Sequence, residues 1–169
     1  MKLTIQSQDL HFCSAHFLIG DEGPLEPIHG HNFFLKLEVE GIPDTLGIIL
    51  DFVLAKKALL TACKKFNTKT LIAAHPPAGE WLENKKDEQI EYRLNNRLLY
   101  IIPAKDVVLL SLTNITAELL AEEILNGFYQ ELSMENAQVF SHVDKMELTL
   151  EESPGSFSTA SKKISALDE

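Results

Sequence analysis

Cysteine is scarce: Cys13 and Cys63 are the only two in 169 residues. Two cysteines in dissimilar contexts cannot build a disulfide framework, which points to a reducing compartment. Long apolar runs are missing too. No segment approaches the roughly 18 consecutive apolar residues that a membrane span needs, so a soluble protein is expected. The first residues, Met1-Lys2-Leu3-Thr4-Ile5-Gln6, turn polar too soon for a signal peptide, and the expected location is cytoplasmic. Positive charge is in the minority, with 15 Lys and Arg against 25 Asp and Glu and a net charge of −10. The cations are scattered rather than gathered into a basic stripe with aromatics between them, which argues against a nucleic-acid partner. The acidity decides little about a small-molecule substrate, because a bound metal reverses the local field. Internal repeats and domain-splitting linkers are also absent. With 45% hydrophobic residues, one domain over residues 1–155 can bury a core, and a polar tail follows over 156–169.

What is present is alternation. In residues 2–13, Leu3 and Ile5 alternate and Leu10 and Phe12 resume in the opposite parity, so a strand with a bulge near Ser7–Asp9 is expected. Gly20, Gly23, Pro24 and Pro27 mark a loop. From His31 to Glu40, Phe33, Leu35, Leu37 and Val39 share one strand face. Asp51 opens a helix in which Phe52, Ala55, Leu59, Ala62, Cys63 and Phe66 recur at helical spacing. A turn-rich insertion follows over 75–110. Within it a hairpin turns at Asn95-Asn96, because adjacent Asn residues tolerate positive φ. Asn114 or Thr116 caps a second helix, with Ala117, Leu120, Ile124, Phe128 and Leu132 as its buried stripe. Met146, Leu148 and Leu150 then share a face of a last strand. Hairpin-linked strands with helices on one side imply an antiparallel α+β domain.

The histidines carry the chemistry. In an extended segment His29 and His31 point the same way, toward the side of Phe33 and Leu35 if the alternation runs back unbroken. Two imidazoles on a buried face need partners, and one metal ion serves both. His16 ends the first strand, and hairpin pairing would bring it beside them. Three neutral imidazoles with a fourth position open make a catalytic rather than a structural zinc site. The competing reading is three unrelated histidines. His11, His75 and His142 read as solvent or core-edge residues.

Several segments together resemble the 6-pyruvoyl-tetrahydropterin synthase family and its bacterial relatives, the 6-carboxytetrahydropterin synthases. Phe12-Cys13-Ser14-Ala15-His16 and His29-Gly30-His31-Asn32 are similar to the two zinc-ligand motifs. Gly47-Ile48-Ile49-Leu50-Asp51-Phe52 and Ile115-Thr116-Ala117-Glu118 resemble the openings of the two family helices, and Leu150-Glu151-Glu152-Ser153 the closing strand. The resemblance implies the tunnelling fold, a four-stranded antiparallel sheet with two helices on one face, here with a hairpin insertion. It also implies a homo-oligomer (trimer or hexamer), and zinc at His16, His29 and His31. The implied substrate is a pterin triphosphate, 7,8-dihydroneopterin triphosphate. The pterin anchor falls on Glu152, which shares the parity of Met146, Leu148 and Leu150, so its carboxylate would close an apolar face and accept two ring N–H groups. The other reading is a solvated strand end. Thr116 and Glu118 match substrate-pocket positions, although capping and first-turn charge would also account for them.

The chain departs from the family pattern in two places. Where a catalytic cysteine usually precedes His-Gly-His, this chain has Leu25-Glu26-Pro27-Ile28. Glu26-Pro27-Ile28-His29-Gly30-His31-Asn32 is similar to a glutamate-bearing branch that cleaves the substrate side chain to 6-hydroxymethyl-7,8-dihydropterin, a folate precursor. The resemblance makes Glu26 the general base, against an ordinary loop glutamate. Where the family has an Asp-His relay, Asn67 and Thr68 stand, and neither titrates near neutral pH. His75 lies a few residues on. Two other functions compete with the lyase. A non-catalytic zinc- or pterin-binding protein would explain the lost relay. A cupin would explain Gly23 followed by five residues and His-x-His, but Glu38 comes too late and two long helices fit a jelly roll poorly.

Overall fold

The computed structural model describes residues 1–136 and 138–164. The N-terminal alternation becomes β1 (Lys2–His16), a short ribbon of β2 (Ile19–Gly20) and β3 (Gly23–Pro24), and β4 (His29–Gly41). β1 and β4 pair antiparallel, and the register shifts between Gln6 and His11, where the parity change placed a bulge. Past the bulge the pairing aligns His16 with His29 and Ser14 with His31.

Asp51 caps α1 (Phe52–Lys64), its carboxylate accepting from the backbone N–H groups of Val53 and Leu54. The buried face of α1 is Ala55, Ala58, Leu59, Ala62 and Cys63; Phe52, expected on that face, is largely exposed. Thr116, not Asn114, caps α2 (Ala117–Glu135) through the Leu119 N–H; of the expected stripe, Leu120, Ile124, Phe128 and Leu132 are buried and Ala117 is half-buried. Both helices pack with the sheet face bearing Phe12, Phe33, Leu35, Leu37 and Leu148 in one core cluster. Such a helical layer excludes the jelly roll of a cupin.

The sheet is larger than expected. β10 (Val143–Ser153) pairs with β4, and β11 (Ser156–Lys163) pairs with β10, giving a four-stranded antiparallel unit in the order β11-β10-β4-β1. Two parallel strands extend it, β5 (Lys69–Ala73) and β9 (Val107–Leu110). They escaped notice because they do not alternate: Leu71, Ile72 and Ala73 are all buried, covered on both faces as parallel strands usually are. Residues 156–163, read from sequence as the start of a polar tail, are instead the edge strand β11, whose small polar residues suit a half-exposed edge. Residues 165–169, the end of that tail, lie outside the described residues.

The insertion also differs from a hairpin. β6 (Glu80–Asn84), β7 (Gln89–Leu94) and β8 (Arg97–Pro103) form a separate three-stranded sheet. Asn95 and Asn96 adopt φ of 51° and 64° at its second turn, as the Asn pair required. No helix among the described residues is long and apolar enough to cross a membrane.

Candidate active site

The three histidines meet because strand pairing and strand parity agree. His16 and His29 are cross-strand partners and His31 is two residues along, so all three rings share the core face. Their centroids lie 4.8 Å (His16–His29), 5.2 Å (His16–His31) and 4.7 Å (His29–His31) apart. Phe33 forms the floor, its ring 5.7 Å from both His16 and His31. One ring nitrogen from each histidine falls within a group whose members are all within 4.8 Å of one another.

His16 is the most constrained of the three, at 2% exposure. Its Nδ1 lies 2.9 Å from the Ile115 carbonyl; a carbonyl only accepts, so Nδ1 carries the proton and Nε2 presents a lone pair. Burial pushes the His16 imidazole below its usual range, which outweighs the opposing effects of the Ile115 carbonyl and the Glu152 carboxylate; His29 and His31 push it the same way as burial. Nε2 is buried without a hydrogen-bond partner, yet Glu152 Oε1 stands 3.2 Å away. A lone pair facing a carboxylate at that distance is unfavourable unless a proton or a metal ion lies between or beside them. His29 has the same polarity, its Nδ1 donating to the Pro27 carbonyl at 3.0 Å. Two imidazoles oriented by backbone carbonyls, with the other nitrogen free, form a donor set that fits zinc.

A cleft of about 620 Å³ opens beside the triad, within the range for small-molecule sites. Six of the seven residues singled out from sequence line it: His16, His29, Glu26, Thr116, Glu118 and Glu152. His31 faces the adjoining recess, which Glu152 also borders. Glu26 Oε1 accepts from the Leu18 N–H at 3.2 Å and lies 4.0 Å from His29 Nδ1, so its own loop holds the carboxylate beside His29 at the cleft. Thr116 Oγ1 accepts from the Leu119 N–H at 3.3 Å, so it caps α2 and lines the cleft at once. Among the described residues, no Lys or Arg lines the cleft.

Asn67 and Thr68 are bound into the frame. Asn67 Oδ1 accepts from the Cys13 N–H at 3.0 Å, and the Thr68 N–H donates to the Cys13 carbonyl at 2.7 Å. They clasp the end of α1 to β1. His75 lies against Ser111, with Nε2 3.5 Å from its Oγ, and does not line the cleft. Sequence reasoning missed the far wall, which is the β10–β11 hairpin at Gly155, Ser156, Phe157 and Ser158. Pro154-Gly155 was its available signal, a turn dipeptide between two strand-like runs. The Ile115 carbonyl that orients His16 has no signature in sequence, since any residue supplies it.

Comparison with known proteins identifies the family. The family model described as 6-pyruvoyl tetrahydropterin synthase matches residues 5–163. A protein of Pyrococcus horikoshii that carries the provisional name 6-carboxy-5,6,7,8-tetrahydropterin synthase is 30% identical over 147 residues, covering 86% of this chain and 82% of its own. A similarly named protein of Methanocaldococcus jannaschii is 26% identical over 155 residues, covering 86% of each. Among solved structures, the 6-pyruvoyl tetrahydropterin synthase of Plasmodium vivax superposes with a TM-score of 0.88 at 23% identity, over 97% of this chain and 98% of that one. That enzyme has also been solved with a catalytic glutamate replaced by alanine. The fold, the matched span and the triad agree: this chain belongs to the 6-pyruvoyl tetrahydropterin synthase family.

Proposed function

We propose that the chain is a zinc-dependent lyase that converts 7,8-dihydroneopterin triphosphate into a pterin product, with His16, His29 and His31 as the metal ligands. The observation that carries this reading is the orphaned, buried Nε2 of His16 in a triad of which two members line one cleft with three carboxylates and the third borders the adjoining recess. Zinc held there supplies a Lewis acid that lowers the pKa of the hydroxyls on the substrate side chain.

The chain's own residues do the rest. Glu26 sits beside His29 in the cleft lining, where it takes the proton from a side-chain hydroxyl. A glutamate has a catalytic precedent on this fold in the Plasmodium vivax enzyme. Glu152 accepts N–H groups of the pterin ring, and its place against His16 keeps the ring next to the imidazoles. Thr116 keeps its hydroxyl proton available to the substrate while its oxygen caps α2. With a carboxylate in place of the cysteine, side-chain cleavage to 6-hydroxymethyl-7,8-dihydropterin is the favoured outcome over the 6-carboxy or 6-pyruvoyl products.

A second reading, a zinc or pterin binder without turnover, is favoured by one observation. Asn67 and Thr68 are tied to the Cys13 backbone and leave no relay at that position. Incubating the zinc-loaded protein with 7,8-dihydroneopterin triphosphate, with mass spectrometric identification of products, separates the two. A 6-hydroxymethyl product that disappears in His31→Ala supports the lyase and Glu26 as its base. A 6-carboxy or 6-pyruvoyl product retains the lyase and replaces the favoured outcome. Bound zinc without turnover establishes the binder.

A further inference from the structure

The sheet formed by β6, β7 and β8 contributes nothing to the cleft lining, yet its inner face touches the residues next to the ligands. Phe17, which follows His16, is 2% exposed. Its ring centroid lies 5.1 Å from Tyr100, 6.1 Å from Trp81 and 6.1 Å from Tyr92. Ile28, which precedes His29, packs into the same cluster. Ile72 of β5 and Val107 of β9 complete it, so the cluster is anchored to the main sheet.

The loop between the two ligands is held from the same side. Gly23 has φ +122°, and a Cβ there would stand 2.6 Å from Leu94 Cδ2, so the tip of the β2–β3 ribbon rests directly on the end of β7. The Leu25 N–H donates to the Leu18 carbonyl at 2.9 Å, closing the loop that delivers Glu26. On the other side, Asn114 holds both the N–H and the carbonyl of Ile19, at 3.2 and 2.9 Å.

We propose that the β6–β8 sheet is a clamp that positions His16, His29 and Glu26 for zinc by gripping Phe17, Ile28 and the β2–β3 ribbon. The proposal rests on the zinc reading of the triad. Phe17 is bonded directly to His16 at the end of β1, so gripping its ring restricts the backbone that carries the His16 side chain. Tyr100, Trp81 and Leu94 act through these neighbours and are positioning residues. Groups that orient metal ligands change affinity by about 10- to 100-fold when removed, whereas an insert that only adds stability would leave the affinity of the folded protein unchanged.

The test is zinc affinity of the full chain by competition with a chromophoric chelator, together with the visible absorption of the cobalt-substituted protein as a readout of ligand geometry. Measurements are made at a temperature where each variant is folded. Tyr100→Ala is expected to weaken zinc binding by about tenfold or more and to alter the cobalt spectrum. Tyr100→Phe, which keeps the ring, is expected to restore both. Leu94→Ala, at the outer end of β7, is expected to weaken binding several-fold, and it decides the matter if Tyr100→Ala does not fold. Asp51→Ala, which removes the cap of α1 far from the cluster, controls for general destabilisation and should bind zinc as the unchanged protein does. Unchanged zinc affinity and cobalt spectrum in the folded Tyr100 and Leu94 variants overturn the clamp alone. Failure of the unchanged protein to bind zinc at the triad overturns the clamp and the proposed function together.

Discussion

Glu26 and Thr68 show how one residue can be read from its hydrogen bonds. Glu26 Oε1 receives the Leu18 N–H, a bond that an amide oxygen can also accept. On the proposed mechanism, Glu26→Gln therefore keeps the loop and the histidine cluster but removes the proposed base, and turnover should fall by about 10²–10⁴-fold with zinc content unchanged. Steady-state kinetics beside metal analysis checks this. Thr68 has φ +60°, in the left-handed region where a β-branched residue is strained. Thr68→Asn relieves part of that strain and should raise stability by about 0.5–1 kcal/mol, or about 1–4 °C in melting temperature for a chain of this size. Calorimetry reads the change directly, and zinc affinity should not move.

At the scale of elements, helix caps and strand pairing carry the frame. Asp51 accepts from the Val53 and Leu54 N–H groups at 2.8 and 2.9 Å. Asp51→Ala should cost about 0.5–2 kcal/mol in urea denaturation. Much of this frame was legible in the sequence because it depends on local signals. The parity change at Ser7–Asp9 marked the bulge, Asp51 marked one helix start and Asn114 or Thr116 the other, and Asn95-Asn96 marked a turn. What escaped was set by tertiary context. Leu71, Ile72 and Ala73 are buried on both faces, so β5 gave no period to detect. β11 is an edge strand rich in Ser, Thr and Lys that pairs with β10, and composition alone made it look like a tail. The cleft divides the same way: its histidines and glutamates stood out as residue types, while its hairpin wall and the Ile115 carbonyl became visible only once the chain was folded.

On the scale of the whole molecule, charge is distributed by face. The cleft gathers Glu26, Glu118 and Glu152 with no Lys or Arg among the described residues of its lining, a setting that favours a cation. The opposite face of the sheet neutralises its acids internally: Lys2 lies 3.2 Å from Glu38 and 3.6 Å from Glu147, Lys36 lies 3.0 Å from Glu38, and Lys145 lies 2.8 Å from Glu147. Lys36 and then Lys2 hold the Glu38 carboxyl below its usual range, and Lys145 does the same for Glu147. Because the folded values lie below the unfolded ones, this stabilisation is present above about pH 4.5 and is lost as the pH falls through the folded values. The network is largely solvated, so the effect should be modest and weaken in salt. Urea midpoints across acid pH should fall less steeply in Lys2→Gln than in the unchanged protein.

The proposed function depends on three imidazoles converging on one ion, and zinc content after purification and exhaustive dialysis tests that directly. About one zinc per chain is expected in the unchanged protein, and little or none in His16→Ala or His31→Ala variants that remain folded. A folded, unchanged protein that retains no zinc, or histidine variants that retain it in full, would contradict the account.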